Sequence, residues 1–278
     1  MEIYFFSRLD YTSEMIIIFI LYFAIGIIAS TLGAIAGLGG GVIIKPVLDL
    51  VGHFDLPTIG VLSAATVLSM ATISLLKARK KEIKVDKATS LTIACGSIFG
   101  GIVGKAIFNI IAISLNIPKT TAIIQSTILA ILLSFIYIYF KRKHKLKSHV
   151  IKNKMIIFAV GFSLGFLSAF LGIGGGPLNV AVLCLFFSMT AKNAGINSIF
   201  IIFFSQLSAL LLIAFTTGFA DYDLFMLFFM IPGGIIGGLI GSHYVTKLTN
   251  LQVEKVFNIT VLIIIFINLY NIIRFLIS

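Results

Sequence analysis

Eight apolar runs with essentially no internal charge cover residues 15–36, 57–76, 88–108, 120–140, 155–173, 193–216, 224–242 and 256–273. Each approaches or reaches the ~20 residues that carry a helix across about 30 Å of hydrocarbon. A helix satisfies its backbone polar groups within the segment, which lipid cannot do for it. With 59% hydrophobic and 11% charged residues among 278, and a mean hydropathy of +1.13, the chain is too apolar for a soluble domain. The sequence predicts an all-α polytopic membrane protein. The first run follows Glu2, Arg8, Asp10 and Glu14, lacks a basic leader and exceeds the apolar length of a secretory signal, so it reads as a retained span.

Two short runs, 42–52 and 177–190, break this regularity, and each follows three consecutive glycines: Gly39, Gly40 and Gly41, then Gly174, Gly175 and Gly176. At 1.5 Å per residue the short runs reach only about half to two-thirds of the way across. A glycine costs about 1 kcal/mol against alanine inside a helix, so the triplets serve either a chain break or close packing. Breaks survive in a membrane only where protein or a wet cavity takes up the freed backbone groups, and repeated breaks point to a transporter's binding site. The triplets recur at a spacing of 135, as do Ser63 and Ser198. GSIFGGIVG from Gly96 resembles GGIIGGLIG from Gly233 with two extra residues between. These echoes define a first repeat over residues 1–140, a basic linker over 141–154 and a second repeat over 155–278.

The net charge of +11 does not point to nucleic acid, because most lysines and arginines sit between spans and serve topology. Placing the 77–87 loop and the 141–154 linker in the cytoplasm puts sixteen Lys and Arg residues inside and four outside, with Lys45 beside a triplet. That count takes each short run as a crossing, giving five segments per half. An odd number makes the repeats inverted: two inverted repeats with eight long transmembrane helices in all, plus two short helices after the breaks. A re-entrant reading of the short runs makes the repeats parallel and puts Lys247 and Lys255 outside. The Ile, Phe, Lys and Asn richness without Trp points to an AT-rich bacterial genome and hence a multi-pass protein of a bacterial plasma membrane.

Every Asp and Glu lies in a tail, a loop or near a span end, and only Asp49 is a candidate intramembrane carboxylate of the kind cation carriers use. No histidines have metal-ligand spacing, Cys95 and Cys184 read as core residues, and no catalytic constellation or nucleotide motif is present, so neither an enzyme nor a cofactor is expected. What remains within the spans is positive or neutral. Lys45 follows Gly41 by four residues, where a lysine costs at least ~2.5 kcal/mol unless compensated by an anion, by snorkelling or by Asp49 at i+4. Lys105 reads as a snorkelling residue. The second repeat offers Asn179, then Asn197 and Ser198, then Ser205 and Gln206, whose amides and hydroxyls can donate to an oxyanion or join helices. The candidate substrate-binding residues are therefore the six triplet glycines, Lys45, Asn179, Asn197, Ser198 and Gln206.

Gly37, Gly39, Gly40, Gly41, Pro46 and Leu48 fit the G-x-G-G-G-x-x-x-x-P-x-L motif of the TauE/SafE sulfite exporters, also called the toluene sulfonate uptake permease family, which this chain resembles over nearly its whole length. In the second copy Gly172, Gly174, Gly175, Gly176 and Leu183 fit, Ala181 replaces the proline and Pro177 follows the triplet. The resemblance implies transport of small, sulfur-containing anions such as sulfite or sulfonates. The expected protein is a secondary transporter working by alternating access, with the site where the triplets face each other. Its expected partners are a small anionic substrate and the lipid bilayer, and no nucleic acid. An anion channel is the alternative, with an intramembrane enzyme or assembly partner behind it.

Overall fold

The computed structural model describes residues 2–80, 86–111, 118–143, 151–171 and 175–277. Among them are ten helices and no strand: α1 Glu2–Ala36, α2 Gly41–Val51, α3 Leu56–Lys80, α4 Lys87–Asn109, α5 Pro118–Arg142, α6 Lys154–Leu171, α7 Gly176–Phe187, α8 Ala191–Phe215, α9 Leu227–Lys247 and α10 Asn250–Ile277. Eight are long and apolar enough to cross a membrane, beginning with Met15–Ala36 inside α1. The two that are not, with 11 and 12 residues, are the short runs after the triplets. The element order is thus long, short, long, long, long, twice over.

Helix ends follow local chemistry. Asp86 accepts from the Thr89 N–H and Thr190 from the Asn193 N–H, each taking up a donor that the first helical turn leaves unpaired. Both short helices start after a glycine at positive φ, Gly40 at +75° and Gly175 at +72°. Both also end in left-handed backbone, at Gly52 and Ser188.

Small residues set the packing between the halves. The glycine motif of α4 lies on α6, where a Cβ at Gly165 would meet the Ser97 carbonyl oxygen at 2.0 Å. The matching motif of α9 lies on α1, where a Cβ at Gly237 would meet the Ile27 carbonyl oxygen at 2.5 Å. Backbones approach this closely in membranes only where side chains are absent. The resemblance between GSIFGGIVG and GGIIGGLIG is therefore a resemblance of job, since each glues a helix of one half to the first helix of the other.

The contacts also give the helix directions. Gly26 sits at Met230 and Gly241 at Ala34, so α1 and α9 run the same way, as do α3 and α9 through Ser69 at Ile231 and Met70 at Gly238. Gly96 at Phe158 and Gly104 at Phe166 make α4 and α6 parallel, and Ser90 at Asn197 and Ser97 at Ser205 align α8 with them. Helices α5 and α10 are antiparallel, with the Phe140 and Phe257 rings packed at a tilt and Lys143 paired to Glu254 one turn beyond. The Lys143–Glu254 contact is the one ion pair among the described residues.

Candidate functional site

The two broken regions meet at the centre. Between α1 and α2 the chain passes through Gly37, Gly39 and Gly40 at φ of +73°, +80° and +75°, a region side chains rarely enter, so the first triplet is a break and not only a packing surface. Gly176, which opens α7, lies against Leu38 so closely that a Cβ would stand 1.8 Å from the Leu38 carbonyl oxygen. A Cβ at Gly37 would stand 2.2 Å from the Gly195 Cα of α8. The Ser198 hydroxyl donates to the Gly37 carbonyl at 2.7 Å, with the Gly176 carbonyl at 3.4 Å, and so joins both breaks. Gly174 lies outside the described residues.

Lys45 is buried on α2, and its ammonium donates to the Leu171 carbonyl at 2.7 Å and to Gln125 Oε1 at 2.5 Å. Leu171 is the last residue of α6, and the final carbonyls of a helix lack intrahelical donors and carry about half a negative charge. The Gln125 amide donates to the neighbouring Phe170 carbonyl. Lys45 and Gln125 together close the α6 terminus that the second break leaves open, and Lys45 makes no ion pair with Asp49. Asn197 is committed in the same way. Its Oδ1 accepts from the Asp86 N–H at 2.9 Å and the Ser90 hydroxyl at 2.6 Å, and its Nδ2 donates to the Asn193 carbonyl at 2.8 Å. Asn179 is buried in the first turn of α7 beside Gly175.

Open space lies to either side of the crossing. A cavity of about 80 Å³ between α3, α4, α6 and α8 is lined by Ser97, Lys105, Ser168, Ser205, Gln206 and Ser208 among smaller and apolar residues. Water needs roughly 10–15 Å³ of such space per molecule, so this cavity holds several waters or an anion of a few heavy atoms. Ser97 and Ser205 share a hydrogen bond of 2.8 Å across it. A smaller cavity of about 20 Å³ lies between α1, α3, α8 and α9, with Lys77, Lys192 and Ser242 on its wall. Among the described residues no Asp or Glu lines either one. Among the described residues no three of His, Cys, Asp and Glu come together as a metal site would require.

Of the candidate substrate-binding residues, only Gln206 lines a cavity, beside its neighbour Ser205; the described triplet glycines and Ser198 build the crossing with Asn179 next to it, while Lys45 and Asn197 satisfy helix ends. Lys105, read as a snorkelling residue, stands on the wall of the larger cavity with its ammonium 4.7 Å from the centre of the Phe108 ring. The signal that could have found it is the α4–α9 motif match, which sets Lys105 opposite Ser242 rather than opposite another span-end anchor.

The ten helices of the described residues, eight of them long and apolar enough to span a membrane and two of them short and started by broken backbone, define a polytopic helical membrane protein. The sulfite exporter TauE/SafE family matches residues 22–269, and the chain belongs to that family. It is similar to a protein of Bacillus subtilis (strain 168) named "Probable membrane transporter protein YunE", with 25% identity over 269 residues covering 88% of this chain and 95% of the relative. The protein is a membrane transporter. No solved structure matches significantly.

Proposed function

We propose that the protein is a secondary transporter of small, sulfur-containing anions, sulfite, a sulfonate or a related organic acid, working by alternating access. The observation that carries this reading is the larger cavity, where the Lys105 ammonium, the hydroxyls of Ser97, Ser168 and Ser205 and the Gln206 amide converge with no carboxylate among them. Ammonium and hydroxyl groups donate to an oxyanion, and a cation entering this space would meet a positive charge and no negative one. The opposed directions of α1 and α6, of α3 and α8, and of α4 and α9 support two inverted repeats, the plan from which many secondary transporters build two alternating access states. The bacterial plasma membrane is the location this reading implies.

Flux into proteoliposomes with a panel of sulfite, thiosulfate, sulfonates and carboxylates tests the proposal. Saturable uptake with counterflow of a sulfur-containing anion is the expected result. Flux that never saturates and shows no counterflow would mark a channel, and uptake of cations alone would overturn the anion assignment.

A further inference from the structure

The two cavities are lined in large part by corresponding positions of the sequence echo. More than half of the residues lining the smaller one have their counterpart lining the larger: Gly195 matches Gly60, Ser74 matches Ala209 and Lys77 matches Leu212, each at the spacing of 135 that separates the triplets. Ser242 matches Lys105 at the spacing of 137 that relates the α9 and α4 glycine motifs. The larger cavity touches α3 near its start, at Gly60 and Ala64, and α8 near its end; the smaller touches α3 near its end, at Ser74 and Ala78, and α8 near its start. They therefore lie at opposite ends of the same two helices, with the Gly37–Gly195 and Leu38–Gly176 contacts between them.

We propose that these cavities are the two mouths of a single anion route, one entered past Lys77 and Lys192 from the cytoplasmic side and the other past Lys105 from the outer side. The proposal rests on the anion-transport reading and names where each access state receives its substrate. Chemistry at the smaller mouth supports it independently of symmetry. The Ser242 hydroxyl is buried on the cavity wall with no hydrogen-bond partner among the described residues, a costly condition that a ligand or ordered water relieves. Lys77 donates once, to the Leu239 carbonyl at 3.1 Å, and Lys192 to the Leu248 and Thr246 carbonyls at 3.1 and 3.3 Å. An ammonium has three donors, so each keeps at least one for an incoming anion. In an exchange of the two halves, Lys105 at one mouth takes the place of Ser242 at the other, and the cations of Lys77 and Lys192 supply the charge that Ser242 lacks.

The test uses the full chain with Cys95 and Cys184 replaced and a single cysteine placed at Ser74 or at its counterpart Ala209. A membrane-impermeant thiol reagent is applied to intact cells and to inverted vesicles, with and without methanesulfonate. Ser74→Cys should label from the cytoplasmic face and Ala209→Cys from the outer face. Each should be slowed about tenfold when the anion stands at ten times its dissociation constant. Labelling of both positions from one face, or of neither from either face, would overturn the paired mouths whatever the substrate. Opposite-face labelling that neither methanesulfonate nor any other anion of the flux panel slows would leave the mouths in place and overturn the anion route through them. A parent protein that labels as expected but carries no anion would instead sink the transport reading.

Discussion

Lys45 of α2 donates its ammonium to the Leu171 carbonyl of α6 at 2.7 Å, so a residue just past the first break closes the helix that ends at the second. The positive charge needs no substrate to offset its burial, because a helix C-terminus offers the complementary partial charge. This contact explains how an interrupted helix persists in a membrane, where each unsatisfied carbonyl costs several kcal/mol.

Lys45→Met should therefore act on stability. It leaves the Leu171 carbonyl and Gln125 Oε1 without this donor, at about 1–3 kcal/mol each. Thermal unfolding in detergent should shift down by several degrees, while the anion affinity of the protein that remains folded stays within about twofold of the parent. A tenfold loss of affinity at unchanged stability would return Lys45 to the binding site.

Two glycine substitutions separate packing from passage. Gly176→Ala drives a methyl group to 1.8 Å from the Leu38 carbonyl oxygen, which only movement of the two breaks relieves, so folded protein should be largely lost. Gly60→Ala meets nothing within 4 Å and removes a helix-interior glycine, worth roughly 0.5–1 kcal/mol of added stability, yet it narrows the larger cavity. Size-exclusion profiles and flux should show normal folding with slowed transport for Gly60→Ala. Normal folding of Gly176→Ala would mean that the crossing has slack the structure does not show.

Asn197→Ala removes three hydrogen bonds that tie α8 to the start of α4 and to its own preceding turn. At a net 0.5–1.5 kcal/mol each, the loss is about 1.5–4.5 kcal/mol. Denaturation in detergent should show it, with anion affinity unchanged because the side chain bonds within the protein and lines neither cavity. An affinity loss without destabilisation would place Asn197 at the substrate.

The eight long spans were legible because the membrane imposes their length, and the predicted runs match the spans to within a few residues except at the end of α9, which runs on to Lys247, and the start of α10, which lies back at Asn250. For α9, Leu224 to Met226 form turns before the helix starts at Leu227, and apolarity alone cannot tell a turn from a helical start. The first break was legible as one of two uses for a glycine triplet, a break or close packing, and the positive φ of Gly39 and Gly40 decides for the break. What a polar residue faces was much less so. Lys45 and Asn197 carry the same chemistry as Lys105 and Gln206, and only tertiary packing decides that the first two meet carbonyls and amides of neighbouring helices while the last two meet open space.

The most direct test of the account is the apparent affinity for sulfite and methanesulfonate of Lys105→Gln, measured from the outer face in proteoliposomes beside the parent and Lys105→Arg. A charge-assisted hydrogen bond is worth roughly 1.5–3 kcal/mol, so Lys105→Gln should weaken binding by about tenfold to a hundredfold. Lys105→Arg, which keeps the charge but changes its shape, should retain part of the function. Parent-like affinity in Lys105→Gln, in a protein that folds and transports normally, would contradict the assignment of the larger cavity to the anion.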